Sequence, residues 1–230
     1  MRLDKYLASV TALSRKQARQ QIRAAAVHVD GAVLTDPGAQ IKPCNQVTLA
    51  GKPLRAPGFR YFMLHKPAGV ICATKDAHHI TAIDLIDEDN ANNLQIAGRL
   101  DKDTTGLVLL TDDGQWNHRL TSPRHECPKT YELSTLRPID DGVADRFAEG
   151  VLLPGDSALT RPAQLTLHDS HHARLVLHEG RYHQVKRMFE ATGNRVLTLH
   201  RSAIGNIALD DALPAGHYRA LTAQEINSIK

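Results

Sequence analysis

The sequence predicts an α+β chain in two parts, a small basic N-terminal module and a larger, strand-rich body. Three observations carry this. At 230 residues the chain exceeds one typical domain and falls short of two. Its charge is unevenly placed: residues 1–58 hold nine Lys/Arg against three Asp/Glu, whereas residues 59–230 hold nineteen against twenty-two. Beyond residue 58 the apolar residues come in short, separated runs of strand length, with fewer stretches of helical period between them. The composition, 42% hydrophobic and 23% charged, is that of an ordinary globular protein and excludes disorder and fibrous repeats. No apolar run, Leu107 to Leu110 included, approaches the ~20 residues a bilayer helix needs, and MRLDKYLASV lacks the apolar centre and cleavage site of a signal peptide. Membrane insertion and secretion are not expected. Cys44, Cys72 and Cys127 are isolated and odd in number, so a reducing cytoplasm is the expected compartment.

In the basic module, Ser14 and Gln17 have the spacing of a capping box, each side chain satisfying the other's free backbone donor, which predicts a helix from there to about Ala25. Arg15, Arg19 and Arg23 recur every four residues and stack their guanidinium groups on one face, leaving Ala18, Ile22 and Ala25 to pack inward. Residues 27–29 alternate, Asp30-Gly31 supplies a two-residue turn that tolerates positive φ, and residues 33–34 resume the strand. The stretch GKPLRAPG at 51–58 has the composition of a linker and sets the boundary at residue 58. An arginine stripe taken alone fits a solvated face as well as a phosphate-binding one. A basic head on a near-neutral body points to a polyanion partner. RLDKYLA at 2–8, SRKQARQQIRAAAVHVDG at 14–31 and the strand at 46–49 together resemble the S4-type RNA-binding module. The resemblance implies that Arg15, Lys16, Arg19 and Arg23 meet RNA phosphates, gripping folded RNA by charge and shape.

In the body, strands are expected at residues 61–64, 70–72, 94–97, 106–110, 130–136, 165–167, 174–177 and 196–199, and helices at 114–120, 140–149, 184–192 and 223–229. The segment AGRLDKDTTGLVLLTDDG at 97–114 places an arginine and four acids around a loop between two strands, where reacting groups are commonly presented. Asp112 and Asp113 precede a helical pattern, so turn and cap duty accounts for them, and Asp103 before Thr104-Thr105-Gly106 reads as a residue that shapes the loop. Asp101 beside Arg99 has no such local explanation, although a surface ion pair accounts for that triplet taken alone.

The longer string from Gly98 to Gly114 resembles the signature of the pseudouridine synthases of the small-subunit rRNA branch. FMLHKPAG at 62–69, SPRHECPKTY at 122–131 and EGRYHQVKRMF at 179–189 agree with it. The resemblance implies an S4-like domain over residues 1–58 and, over 59–230, a catalytic domain built on a mixed, mainly antiparallel sheet. It further implies isomerisation of one uridine of 16S rRNA, expected at position 516. The enzyme would be a cytoplasmic monomer acting on 16S rRNA or a small-subunit assembly intermediate. Isomerisation breaks the bond from N1 to C1′ and joins C5 to C1′ with no change of oxidation state, so no cofactor and no metal are expected. An aspartate, with a reference pKa of ~3.9, is ionised at neutral pH without an activating base. By resemblance Asp101 assists the cleavage, either as nucleophile at the sugar or as a base forming a glycal. The resemblance also implies that Tyr131 packs on the flipped uracil and that Lys186 pairs with the catalytic carboxylate, where the wider family often has arginine; Arg99, adjacent to Asp101, is the candidate to brace the gap left by the base, and Arg187, next to Lys186, the candidate to bind phosphate. Val185 and Leu197 are the expected apolar wall that keeps water from the detached base.

Three rival readings fit the sequence less well. Thirteen histidines invite a metal, but the pairs His78-His79 and His171-His172 lack the helical i, i+4 placement of zinc hydrolases. A non-catalytic rRNA-binding assembly factor would not need Asp101, Tyr131 and Lys186. An N-glycosidase using Asp101 and Asp103 as an acid/base pair leaves the downstream motifs without a role. Aromatic residues at 4% disfavour a sheet-wide stacking platform of the RNP type.

Overall fold

The computed structural model describes residues 1–42, 45–54 and 58–229, and the chain divides into two compact units, Met1–Gly58 and Phe59–Lys230. Cys44 and the linker residues 55–57 lie outside the described residues.

The first unit packs two helices, α1 (Leu3–Val10) and α2 (Arg15–Arg23), against a four-stranded antiparallel sheet. Its strands are β1 (Val27–Val29), β2 (Ala32–Val33), β3 (Val47–Leu49) and β4 (Lys52–Leu54), in the order β2-β1-β3-β4. The capping box forms: Ser14 accepts from the Gln17 amide and Gln17 reaches back to the Ser14 amide at 2.9 Å. Asp30 and Gly31 turn the β1–β2 hairpin with φ of 51° and 84°, the left-handed pair that matches strand twist. Ala18 and Ile22 join Leu3, Leu7, Val27 and Val47 in one apolar core. Ala25 does not pack inward as expected, because the helix ends before it and Ala25 sits exposed in a left-handed turn at φ 59°. The expected linker begins later than residue 51: Lys52–Leu54 pairs with β3 as an edge strand, where Pro53 opposite Thr48 needs no outward donor.

The second unit is built on nine strands. In chain order its elements are β5 (Tyr61–Lys66), β6 (Gln95–Ala97), β7 (Thr105–Thr111), α3 (Gly114–Thr121), β8 (Lys129–Thr135), α4 (Val143–Glu149), β9 (Gln164–Leu167), β10 (His172–Leu177), α5 (Gln184–Glu190), β11 (Val196–Ile204), β12 (Ile207–Ala208), β13 (Tyr218–Ala220) and α6 (Ala223–Asn227). The main path runs β13-β5-β7-β11-β8-β10-β9, with β6 beside β7 and β12 beside β11. Every pairing is antiparallel except β7 with β11. This is the expected mixed, mainly antiparallel sheet.

The unbroken apolar run of β7 follows from burial on both faces. Val108 and Leu110 join Phe62, Leu64, Phe147 and Phe189 on one side, and Leu107 and Leu109 join Met63, Trp116, Leu120 and Ile204 on the other. In β10, by contrast, exposed His172 and Arg174 alternate with buried Ala173, Leu175 and Leu177, so one face is wet. Residues 70–72 do not form the expected strand; Ile71 makes a single bridge to Thr81, and Cys72 turns its thiol toward the Leu100 amide at 3.2 Å. No described helix is long and apolar enough to cross a membrane.

Candidate active site

The loop between β6 and β7 carries Asp101, and the fold holds it from two sides. From β5, the Lys66 ammonium, fully buried, donates to the carbonyls of Pro67 (2.9 Å), Val70 (2.7 Å) and Lys102 (3.4 Å). The Gly69 amide donates to the same Lys102 oxygen at 2.8 Å. Burial pushes the Lys66 pKa down, and the nearby Cys72, Asp103 and Asp101 work against that shift. From β11, buried Arg201 donates through Nε to Leu107 O at 2.8 Å and through Nη2 to Gly98 O at 3.0 Å. Gly106 lets the strands meet here: at φ +106° a Cβ would lie 2.3 Å from the Arg201 carbonyl oxygen.

Helix α5 brings the opposing cation. Lys186 Nζ lies 3.2 Å from Asp101 Oδ2 and 2.6 Å from Asp103 Oδ1. Burial pulls the Lys186 pKa down, but the Asp103 hydrogen bond and the charge of Asp101 outweigh it and leave it raised. The Lys186 hydrogen bond in turn lowers that of Asp103. Asp103 was expected only to shape the loop; it is instead an exposed second carboxylate on the same lysine. His183 Nε2 approaches the other Asp101 oxygen at 3.4 Å. That approach depends on an uncommon backbone, φ 48° at a non-glycine residue immediately before α5. The turn is secured by Gln184, which accepts from the Arg181 amide at 2.8 Å and donates to Glu179 at 2.8 Å.

Asp101, Lys186 and Tyr131 line one cavity of about 190 Å³, with Val185, Leu177 and Leu199 among its apolar residues. That volume suits one six-membered ring, since a cavity of about 150 Å³ holds benzene. Tyr131 is buried in β8, opposite Leu175 of β10 and Arg201 of β11. Leu197, expected in the wall, is 57% exposed; Leu199 takes its place, because the register shifts between Val196 and Thr198. Arg99 lines the cavity with an exposed side chain that makes no hydrogen bond among the described residues. Arg187, expected at phosphate, is engaged within the protein by Asp156, Pro154 O and Tyr182 O.

Arg15 and Arg19 are not free guanidinium groups as the four-residue spacing suggested. Asp4, fully buried in α1, gathers Arg2 at 3.1 Å, Arg15 at 3.4 Å and Arg19 at 2.9 Å. Hydrogen bonds from Arg2, Arg19 and Arg15 outweigh the effect of burial and hold the Asp4 carboxyl well below the usual range. The three arginines remain half-exposed around a single anion, while Lys16 and Arg23 are exposed. The paired histidines serve turns: Asp76 accepts from the amides of His78 and His79, and Asp169 from those of His171 and His172.

Sequence reasoning missed His183, Lys66 and Arg201. His183 and Lys66 each lay inside a quoted string, 179–189 and 62–69, whereas Arg201 had no such signal.

Comparison with known proteins bears on this arrangement. Residues 60–191 match the model of the RNA pseudouridylate synthase family and residues 1–47 that of the S4 domain. The chain is similar to proteins named ribosomal small subunit pseudouridine synthase A, at 50% identity in Escherichia coli (all of both chains), 50% in Yersinia pestis (all of this chain and 98% of that one) and 47% in Vibrio cholerae (all of this chain and 99% of that one). A crystal structure of a pseudouridylate synthase matches with a TM-score of 0.73 and 44% identity, over the whole of both chains. The chain therefore belongs to the RNA pseudouridine synthases, enzymes that isomerise uridine within RNA.

Proposed function

We propose that this chain isomerises a uridine of small-subunit ribosomal RNA, uridine 516 of 16S rRNA, with Asp101 as the catalytic group and the basic unit at residues 1–58 as an rRNA anchor for the domain at 59–230. One observation carries the assignment of Asp101. It is the carboxylate at a cavity of single-base size that has a lysine ammonium at 3.2 Å on one oxygen and an imidazole at 3.4 Å on the other.

The residues divide the work as follows. The target uridine leaves its stack and enters the cavity, at an unstacking cost of a few kcal/mol; Arg99 at the rim braces the gap. Asp101 assists rupture of the N1–C1′ bond, and Lys186, paired with it, keeps that carboxylate directed at the cavity. Tyr131 and the apolar side chains of Leu199 and Val185 hold the detached uracil while it turns to present C5, excluding the water that would convert isomerisation into hydrolysis. The new C5–C1′ bond forms, the C5 proton leaves and N1 gains one, so atoms balance without an external reactant. In the first unit the Arg2–Arg15–Arg19 group, Lys16 and Arg23 meet RNA phosphates and fix register.

The test uses small-subunit rRNA carrying tritium at uridine C5. Isomerisation releases the label to water, whereas glycosidic cleavage would yield free uracil with the label retained. Asp101→Asn is expected to abolish release while RNA binding persists. Substantial release by that variant would remove Asp101 from the role, and modification of the native substrate at another uridine would remove the assignment of position 516.

A further inference from the structure

Beside the cavity lies an aromatic pair whose outer member, Tyr182, has no role in the chemistry above. Tyr182 is 75% exposed, the most exposed of the large hydrophobic side chains among the described residues. Its ring lies parallel to that of His183, with centroids 3.8 Å apart and planes 19° apart. Exposed aromatic rings are normally turned down onto the surface, since water contact over both faces forgoes the burial that favours folding. Here one face is covered by an imidazole and the other faces solvent.

The mount is rigid. The Tyr182 carbonyl accepts from Arg187 Nη1 at 3.1 Å, and the preceding Arg181 is tied to Asp156 and to Ala158 O, each at 2.9 Å. The left-handed φ of 48° at His183 turns that imidazole toward Asp101 while leaving it flat against the tyrosine. The series Asp101, His183, Tyr182 thus runs from the reacting carboxylate outward, and both neighbours of Tyr182 in sequence line the cavity. A pre-stacked ring loses little conformational freedom when a further planar group joins the stack.

We propose that Tyr182, backed by His183, is a stacking platform for a nucleobase adjacent to the flipped uridine. Extruding one base strips its neighbours of a stacking partner, and an aromatic face at the cavity mouth restores it. Stacking tolerates any base, so the platform contributes affinity and bracing, not base identity. It is a single platform at the rim, distinct from the sheet-wide array that the low aromatic content disfavours. The inference rests on the proposed flipping of a uridine into the Asp101 cavity.

The test is equilibrium binding of the full chain, carrying Asp101→Asn to prevent turnover, to an RNA stem-loop with the target uridine. Companion RNAs have an abasic residue immediately 5′ or immediately 3′ of that uridine. Tyr182→Ala is expected to raise Kd roughly five- to a hundredfold, and Tyr182→Phe, which keeps the ring, to stay within about twofold. One of the two abasic RNAs should weaken binding by the native tyrosine to a similar degree and show no further loss with Tyr182→Ala. The platform is refuted if Tyr182→Ala binds the intact RNA as tightly as its parent, or if its penalty is undiminished on both abasic RNAs. Tritium release by the otherwise native chain separates the two readings. Release with an unchanged KM in Tyr182→Ala overturns the platform alone. Absence of release with native Tyr182 overturns the substrate assignment, while the binding arm still decides the platform.

Discussion

Replacing Lys186 by methionine removes the cation beside Asp101 and leaves a side chain of similar length. At 3.2 Å the attraction between unit charges is about 1 kcal/mol in the dielectric of water and about 5 kcal/mol at an effective constant of ~20. The Lys186 and Asp101 side chains are 22% and 28% exposed, so the pair belongs between these limits and nearer the lower one, at about 2 kcal/mol. Removing the amine also leaves Asp101 and Asp103, which it now bridges, as two anions without their shared partner. If the interaction is stronger in the transition state than in the bound ground state by half or more of this amount, kcat falls roughly five- to thirtyfold. Single-turnover tritium release at saturating enzyme isolates the chemical step from RNA binding. Lys186→Arg should recover part of the rate, limited by a planar fork in place of a point charge. Asp103→Asn, which leaves the lysine to Asp101 alone, should cost little. A Lys186→Met enzyme within twofold of the native rate would show that the ion pair is structural.

Two further outcomes follow from other ion pairs. Combining Arg15→Ala with Arg19→Ala should weaken rRNA binding and flatten the dependence of log K on log salt by about one to two, since each phosphate contact displaces roughly one counterion; an unchanged slope measured by filter binding would make the Asp4 cluster purely architectural. At the C-terminus, hydrogen bonds from Arg219 and the Thr222 amide, acting against burial, lower the pKa of Glu225 to about 2, below its unfolded value. The stability this contributes is present above the unfolded pKa of ~4.3 and is lost as pH falls through ~4 toward 2, on the order of 2 kcal/mol. Urea titrations at pH 6 and pH 3 should therefore show a smaller difference for Glu225→Gln than for the native chain, and an identical difference would refute the linkage.

Local chemistry explains what could be anticipated from sequence. The capping box at Ser14, the left-handed turn at Asp30-Gly31 and the buried run of β7 are set by residues within a few positions of one another. Asp101, Tyr131 and Lys186 could be singled out because each sits in an ordered string that carries the resemblance, and the three line one cavity. The misreadings share a cause in long-range contacts. Residues 70–72 carry strand-like side chains, but the Val70 carbonyl is taken by Lys66 and the Cys72 thiol by Leu100. Pro53 argued for a linker, whereas an edge strand tolerates proline. Arg15 and Arg19 looked like a free stripe because nothing in α2 announces a buried aspartate eleven and fifteen residues upstream. Leu197 and Leu199 alternate identically in sequence, and only the irregular pairing of β11 with β8 decides which one is buried.

The two buried cations around the Asp101 loop raise the question of why charge is placed in the interior at all, since desolvating a lysine or arginine costs several kcal/mol. Neither Lys66 nor Arg201 makes a carboxylate salt bridge among the described residues; both donate to backbone oxygens. The Gly98 and Lys102 oxygens lie in the loop that carries Asp101, those of Pro67 and Val70 in the turn after β5, and that of Leu107 in β7, so the two side chains tie the loop to the strands on either side of it. A neutral donor would satisfy the same groups at lower desolvation cost. A cation does so while adding positive potential close to the Asp101 carboxylate. The geometry is then held by groups outside the reaction, so that Lys186 and His183 need only orient the carboxylate and do not have to anchor the loop. On this argument the interior charge contributes to the electrostatic preorganisation of the site more than to the stability of the sheet.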